Sequence, residues 1–118
     1  SSIQHVNSSL LATGFPYDRG EVAQKTVRSI GSLVGECQGV RRFGSAVLDL
    51  AFVARGGFDG FFEYKLFPWD VCVGILLVRE AGGKVTGIDG KPADSFSTHF
   101  LATNGLVHEK LMEKLEKP

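Results

Sequence analysis

Apolar and polar residues follow two different periods along this chain, and the changes of period divide it into short strands and helices. Ser9–Thr13 is an apolar run closed by Gly14 and Pro16, the pattern of a strand leading into a loop. From Glu21 to Val34 the apolar positions are Val22, Val27, Ile30 and Val34, a helical stripe that Gly35 is placed to stop. Val40–Phe43 is a brief strand, after which Ser45 caps a helix running through Leu48, Phe52 and Val53 to Gly56 and Gly57. Phe58–Tyr64 reads as a strand with aromatic residues on both faces and Glu63 near its end. Pro68 suits the first turn of a helix. The segment Trp69–Ala81 is apolar almost all round, which predicts a buried helix ending at Gly82 and Gly83. Lys84–Ile88 and Phe100–Thr103 are further strands, with Asp89-Gly90 a turn between them. Asn104 caps a last amphipathic helix that places Leu106, Val107, Leu111 and Leu115 on one face.

Strands alternating with helices predict an α/β fold, a layered domain with a central mixed β-sheet flanked by helices, spanning 1–118 without repeat or linker. At 118 residues and 43% hydrophobic the chain suits one core. Thirteen basic against 13 acidic side chains give no field to attract nucleic acid, and the pair Arg41 and Arg42 reads as solvated surface. The longest apolar run, Val71–Val78, is too short to span a membrane, and Ser1–Leu10 lacks the marks of a signal peptide. Cys37 and Cys72 lie outside any metal-knuckle spacing, so a reduced, cytoplasmic location is expected, with Cys72 a small buried hydrophobe. His5, His99 and His108 have no metal-ligand spacing and each reads as a surface or capping residue.

Chemistry concentrates in Trp69-Asp70-Val71-Cys72-Val73-Gly74, followed by Glu80-Ala81-Gly82-Gly83. Asp70 falls in the first turn of its helix, where free N–H groups and the helix dipole favour a carboxylate. It is either a capping acid or, beside a cleft, a hard oxygen ligand for Mg²⁺.

The stretch Trp69–Gly83 resembles the second signature of the inositol monophosphatase family, in which Trp-Asp opens a helix ending in Glu-Ala-Gly-Gly. Leu11–Tyr17, Arg42–Ala46, Asp59–Glu63 and Ala102–Gly105 are similar to other segments of the same family, in the same order. The resemblance implies a Mg²⁺-dependent phosphatase of small polyol or sugar phosphomonoesters, with fructose bisphosphate, a nucleotide bisphosphate or histidinol phosphate as alternative substrates, acting as a homo-oligomer. It implies that Asp70 ligates a catalytic Mg²⁺, that Glu63 hydrogen-bonds a substrate hydroxyl, and that Gly44, Ser45 and Ala46 form a turn against the substrate ring. Without it, Glu63 reads as a solvated strand residue and Ser45 as a plain helix cap. Phe15 departs from animal members, which carry a substrate-contacting Ser there. The family's DPIDGT signature and its upstream Glu-Glu pair are not in this sequence. The chain is therefore expected to be the carboxyl-terminal half of such an enzyme, inactive without the amino-terminal half, or else a non-catalytic folding or assembly module.

Overall fold

The computed structural model describes residues 1–14, 20–94 and 97–118, with Pro68 and Asp70 described in backbone only. Phe15, Pro16 and Tyr17 of the family-like segment lie outside the described residues. A turn of 3₁₀ helix, Val6–Ser8, leads into strand β1, Leu10–Thr13. Helix α1 (Glu21–Leu33), strand β2 (Gly39–Arg41), helix α2 (Ala46–Arg55) and strand β3 (Gly60–Glu63) follow. Helix α3 (Pro68–Glu80), strands β4 (Lys84–Thr86) and β5 (Phe100–Thr103), and helix α4 (His108–Lys114) complete the order.

The five strands form one mixed sheet in the order β2-β1-β3-β5-β4. β1 pairs in parallel with both β2 and β3, and β5 runs antiparallel to β3 and β4. Parallel neighbours need a crossover, and here α1 and α2 supply the two. The first crossover steps from β1 out to β2 and the second steps back past β1 to β3, so right-handed connections place the two helices on opposite faces. The apolar residues divide accordingly. Leu11, Phe62 and Leu101 share a cluster with Leu33 of α1 and Leu111 of α4, whereas Ala12, Phe61 and Phe100 pack with Leu50, Val53, Val71 and Val78 of α2 and α3. Alternate residues of one strand thus feed two cores, as the two-residue period of a strand requires.

Several elements differ from expectation. α3 is not a buried helix: Val71 and Val78 face the core, but Trp69 is 73% exposed, Val73 59% and Leu76 58%. Its all-round apolar character therefore marks one face for the sheet and another face left open in this chain. Cys72 sits on that open side and is exposed, not a buried hydrophobe. α4 begins at His108 and not beside Asn104, because the Asn104 side-chain oxygen accepts from the backbone N–H of Leu106 and Val107 and holds a separate turn ahead of the helix. His108 is wholly buried, not a surface or capping residue. Its ring bridges two strands, with Nε2 2.8 Å from Thr86 Oγ1 and Nδ1 2.9 Å from Thr103 Oγ1. Thr86 passes its only hydroxyl proton to the Gly87 carbonyl, so it accepts from Nε2–H; Thr103 then donates to the bare Nδ1 while accepting from Gly105 N–H. A neutral imidazole satisfies every partner.

Candidate functional site

β1 is the point at which the chain's connections diverge, one to β2 and the next back across to β3. In open α/β sheets such a switch leaves a crevice outside the carboxyl ends of the strands. Gly14 and Glu63 stand there, directly after the paired Thr13 and Phe62. Glu63 is 8% exposed, so it is not a solvated strand residue. A Cβ on Gly14 would lie 1.9 Å from Glu63 Oε1. Only a glycine leaves space for the carboxylate against the end of β1, and any side chain at position 14 displaces it.

The other expected residues lie along the same carboxyl edge of the parallel strands. Gly44 follows β2 with φ +80°, a left-handed turn that a residue with a Cβ adopts only under strain. Ser45 is the N-cap of α2, its hydroxyl accepting from Leu48 N–H at 3.3 Å, and Ala46 is the first helical residue. Asp70 is the third residue of α3, whose N-cap position, Phe67, contributes no side-chain hydrogen bond. Its side chain lies outside the described residues. The rings of Phe67 and Trp69 stack in parallel at 4.6 Å beside this helix start. Both α2 and α3 begin after a strand that ends at this edge and pack against each other, which brings their free N–H groups to one side of the molecule. Such an edge suits an anionic or polyhydroxylated ligand, with Glu63 as an acceptor.

Asp49 was not singled out by the sequence pattern. It lies in the first turn of α2, is 1% exposed, and its Oδ1 has no hydrogen-bond partner among the described residues. Burial pushes its carboxyl up to about 6. The available signal was one acid on the Leu50 and Val53 side of an otherwise apolar helix. Among the described residues no group of three or more His, Cys, Asp or Glu is placed to hold a metal ion. Mg²⁺ takes about six oxygen ligands, so the described side chains do not by themselves fit it.

The family model described as the inositol monophosphatase family matches residues 1–117. An inositol-1-monophosphatase of Synechocystis sp. is 44% identical over 98% of this chain and 40% of its own length. The Nus factor SuhB of Escherichia coli is 41% identical over 98% of this chain and 43% of its own length. The solved structure of an inositol monophosphatase from Anabaena (Nostoc) sp. matches 97% of this chain and 45% of that one, with a TM-score of 0.90 and 46% identity. The chain thus spans less than half the length of each of these relatives.

Proposed function

Since the chain belongs to the inositol monophosphatase family, we propose that it is the carboxyl-terminal half of a magnesium-dependent, cytoplasmic phosphatase that hydrolyses a small polyol or sugar phosphomonoester of the inositol-1-phosphate type. In this reading the chain contributes the substrate-shaping wall and one metal ligand, Asp70, and is inactive alone; the remaining metal ligands come from the amino-terminal half. The observation that carries the reading is the Gly14–Glu63 contact at the switch point of the sheet. A buried, ionised carboxylate there accepts two hydrogen bonds from vicinal hydroxyls, and the small residues Gly44–Ala46 let a ring approach the backbone.

The test is steady-state turnover by a full-length protein carrying this half. Glu63→Gln is expected to raise KM for inositol 1-phosphate by roughly tenfold with kcat little changed, the mark of lost uniform binding. Asp70→Asn is expected to lower kcat by roughly a hundredfold or more, far more than it weakens affinity. Robust turnover by the isolated chain, abolished by Asp70→Asn, would overturn the division of labour between the halves.

A second reading, a folding or assembly module, is favoured by the open face of the helix layer. Val47 and Leu48 of α2 and Trp69, Val73, Leu76 and Leu77 of α3 are large, apolar and exposed. A contiguous apolar patch of this kind marks an interaction site. Sedimentation of the isolated chain across a concentration series is expected to show association that Val73→Asp with Leu76→Asp abolishes. A wild-type chain that stays monomeric and binds no apolar dye counts against this reading.

A further inference from the structure

The hydroxyl of Tyr64 closes a ring of hydrogen bonds that joins three parts of the chain. Tyr64 directly follows β3 and is buried on the face opposite Glu63, edge-on to Phe62 with ring centroids 6.4 Å apart. Its hydroxyl donates to the backbone carbonyl of Glu116 at 2.5 Å. A phenol has one proton, so the 2.7 Å contact with Ser29 of α1 must run the other way, from Ser29 to Tyr64. Ser29 Oγ in turn accepts from the backbone N–H of Glu116 at 3.0 Å. Each group therefore donates once around the circuit from Glu116 N–H to Ser29, Tyr64 and back to the Glu116 carbonyl, an arrangement in which the bonds polarise one another. Burial raises the phenol above its ordinary titration range, so the donor proton is present at neutral pH.

The tail carrying Glu116 is strapped to α1 at further points. Ser32 donates to the Lys114 carbonyl, Lys114 pairs with Glu36, Arg28 pairs with the Glu116 carboxylate, and Leu115 is buried in the same core. The ring's position matters for the candidate site. β1 pairs with β3 only as far as Thr13 and Phe62, so the backbone at Glu63 keeps its ladder partner, Phe100 of β5, on one side alone. The next residue along is Tyr64, and α1 is the element that follows the Gly14 connection. The ring thus ties together the two elements that flank the Gly14–Glu63 contact.

We propose that Tyr64 is a positioning residue: through Ser29 and the backbone of Glu116 it holds the free end of β3, and so fixes the Glu63 carboxylate against Gly14. The proposal rests on Glu63 being the substrate-facing acceptor, but its test does not use substrate. Tyr64→Phe keeps the aromatic packing and removes only the hydroxyl. Carboxyl-carbon NMR titration of Glu63 is expected to show its midpoint displaced by roughly half a pH unit or more in Tyr64→Phe, together with a roughly tenfold or larger loss of exchange protection at the Glu116 amide. Ser29→Ala should reproduce both changes, and the double variant should add little, because either substitution opens the same ring. Val53→Ala, a core truncation on the other face of the sheet, supplies the control for general destabilisation and is expected to leave the Glu63 titration in place. If Tyr64→Phe moves Glu63 no more than Val53→Ala does, the ring is a structural tie only and the proposal is overturned. A Glu63→Gln enzyme with unchanged substrate affinity, alongside a displaced Glu63 titration in Tyr64→Phe, would instead refute the role of Glu63 and leave the positioning intact.

Discussion

Lowering the pH from 7 to 4 is expected to remove about 3 kcal/mol of unfolding free energy through His108 alone. Burial holds this imidazole down at about 4, against an ordinary value of 6.5. Between those values the unfolded chain binds a proton that the folded chain refuses, so stability is complete above pH 6.5 and declines as the pH falls towards 4. The hydrogen bonds give the structural reason. Nδ1 already receives the Thr103 hydroxyl proton, and protonating it would require Thr103 to reverse a bond inside a core with no water to compensate. Urea unfolding of an Asp49→Asn background at pH 7 and pH 4.5 isolates the effect. A His108→Asn substitution added to that background should flatten the profile, and an unchanged slope would show that the acid sensitivity lies elsewhere.

The Asp49 carboxyl is expected to act with nearly equal size and opposite sign. Its folded value of about 6 stands above the ordinary 3.8, so between these values the folded chain holds a proton that the unfolded chain has lost. Stability through this group is therefore greatest below pH 3.8 and falls as pH rises through 6, at a total cost of about 3 kcal/mol by neutral pH. Ionising a carboxylate whose Oδ1 has no partner is the origin of that cost. His108→Asn alone should thus become more stable as the pH is lowered from 7 to 4.5, Asp49→Asn alone less stable, and the unsubstituted chain should change far less than either. The opposed slopes, measured as urea midpoints at constant m-value, decide the matter. Slopes of the same sign in the two variants would refute both assignments.

The periodicity of the chain carried most of the fold. Ser45 was legible as a cap and is one, because capping is a local contest between a hydroxyl and free backbone N–H groups three residues away. The left-handed glycines Gly35, Gly56 and Gly82 close α1, α2 and α3 for equally local reasons. Asn104 shows the limit of local reasoning: its preference for turn-capping was correct, but the turn it caps is separate from α4.

The candidate site was readable only in part. Gly44, Ser45, Ala46, Glu63 and Asp70 were singled out by family resemblance, while the burial of Glu63 and its contact with Gly14 required a three-dimensional neighbour 49 positions away in sequence. His108, Asp49 and Tyr64 gave no comparable sign. Each is an ordinary polar residue whose character depends on what faces it from another element, whether Thr86 and Thr103, an apolar helix layer, or the backbone of Glu116.

The sequence by itself determined the succession of elements, the sheet-and-helix class and the family, since these follow from short-range periodicity, caps and contiguous motifs. Strand order, the division of alternate strand residues between two cores, the exposure of one side of α3 and the protonation of its buried polar groups were decided by tertiary structure. Burial is a property of the surface that another part of the chain presents, and an apolar residue carries no mark of which surface will cover it.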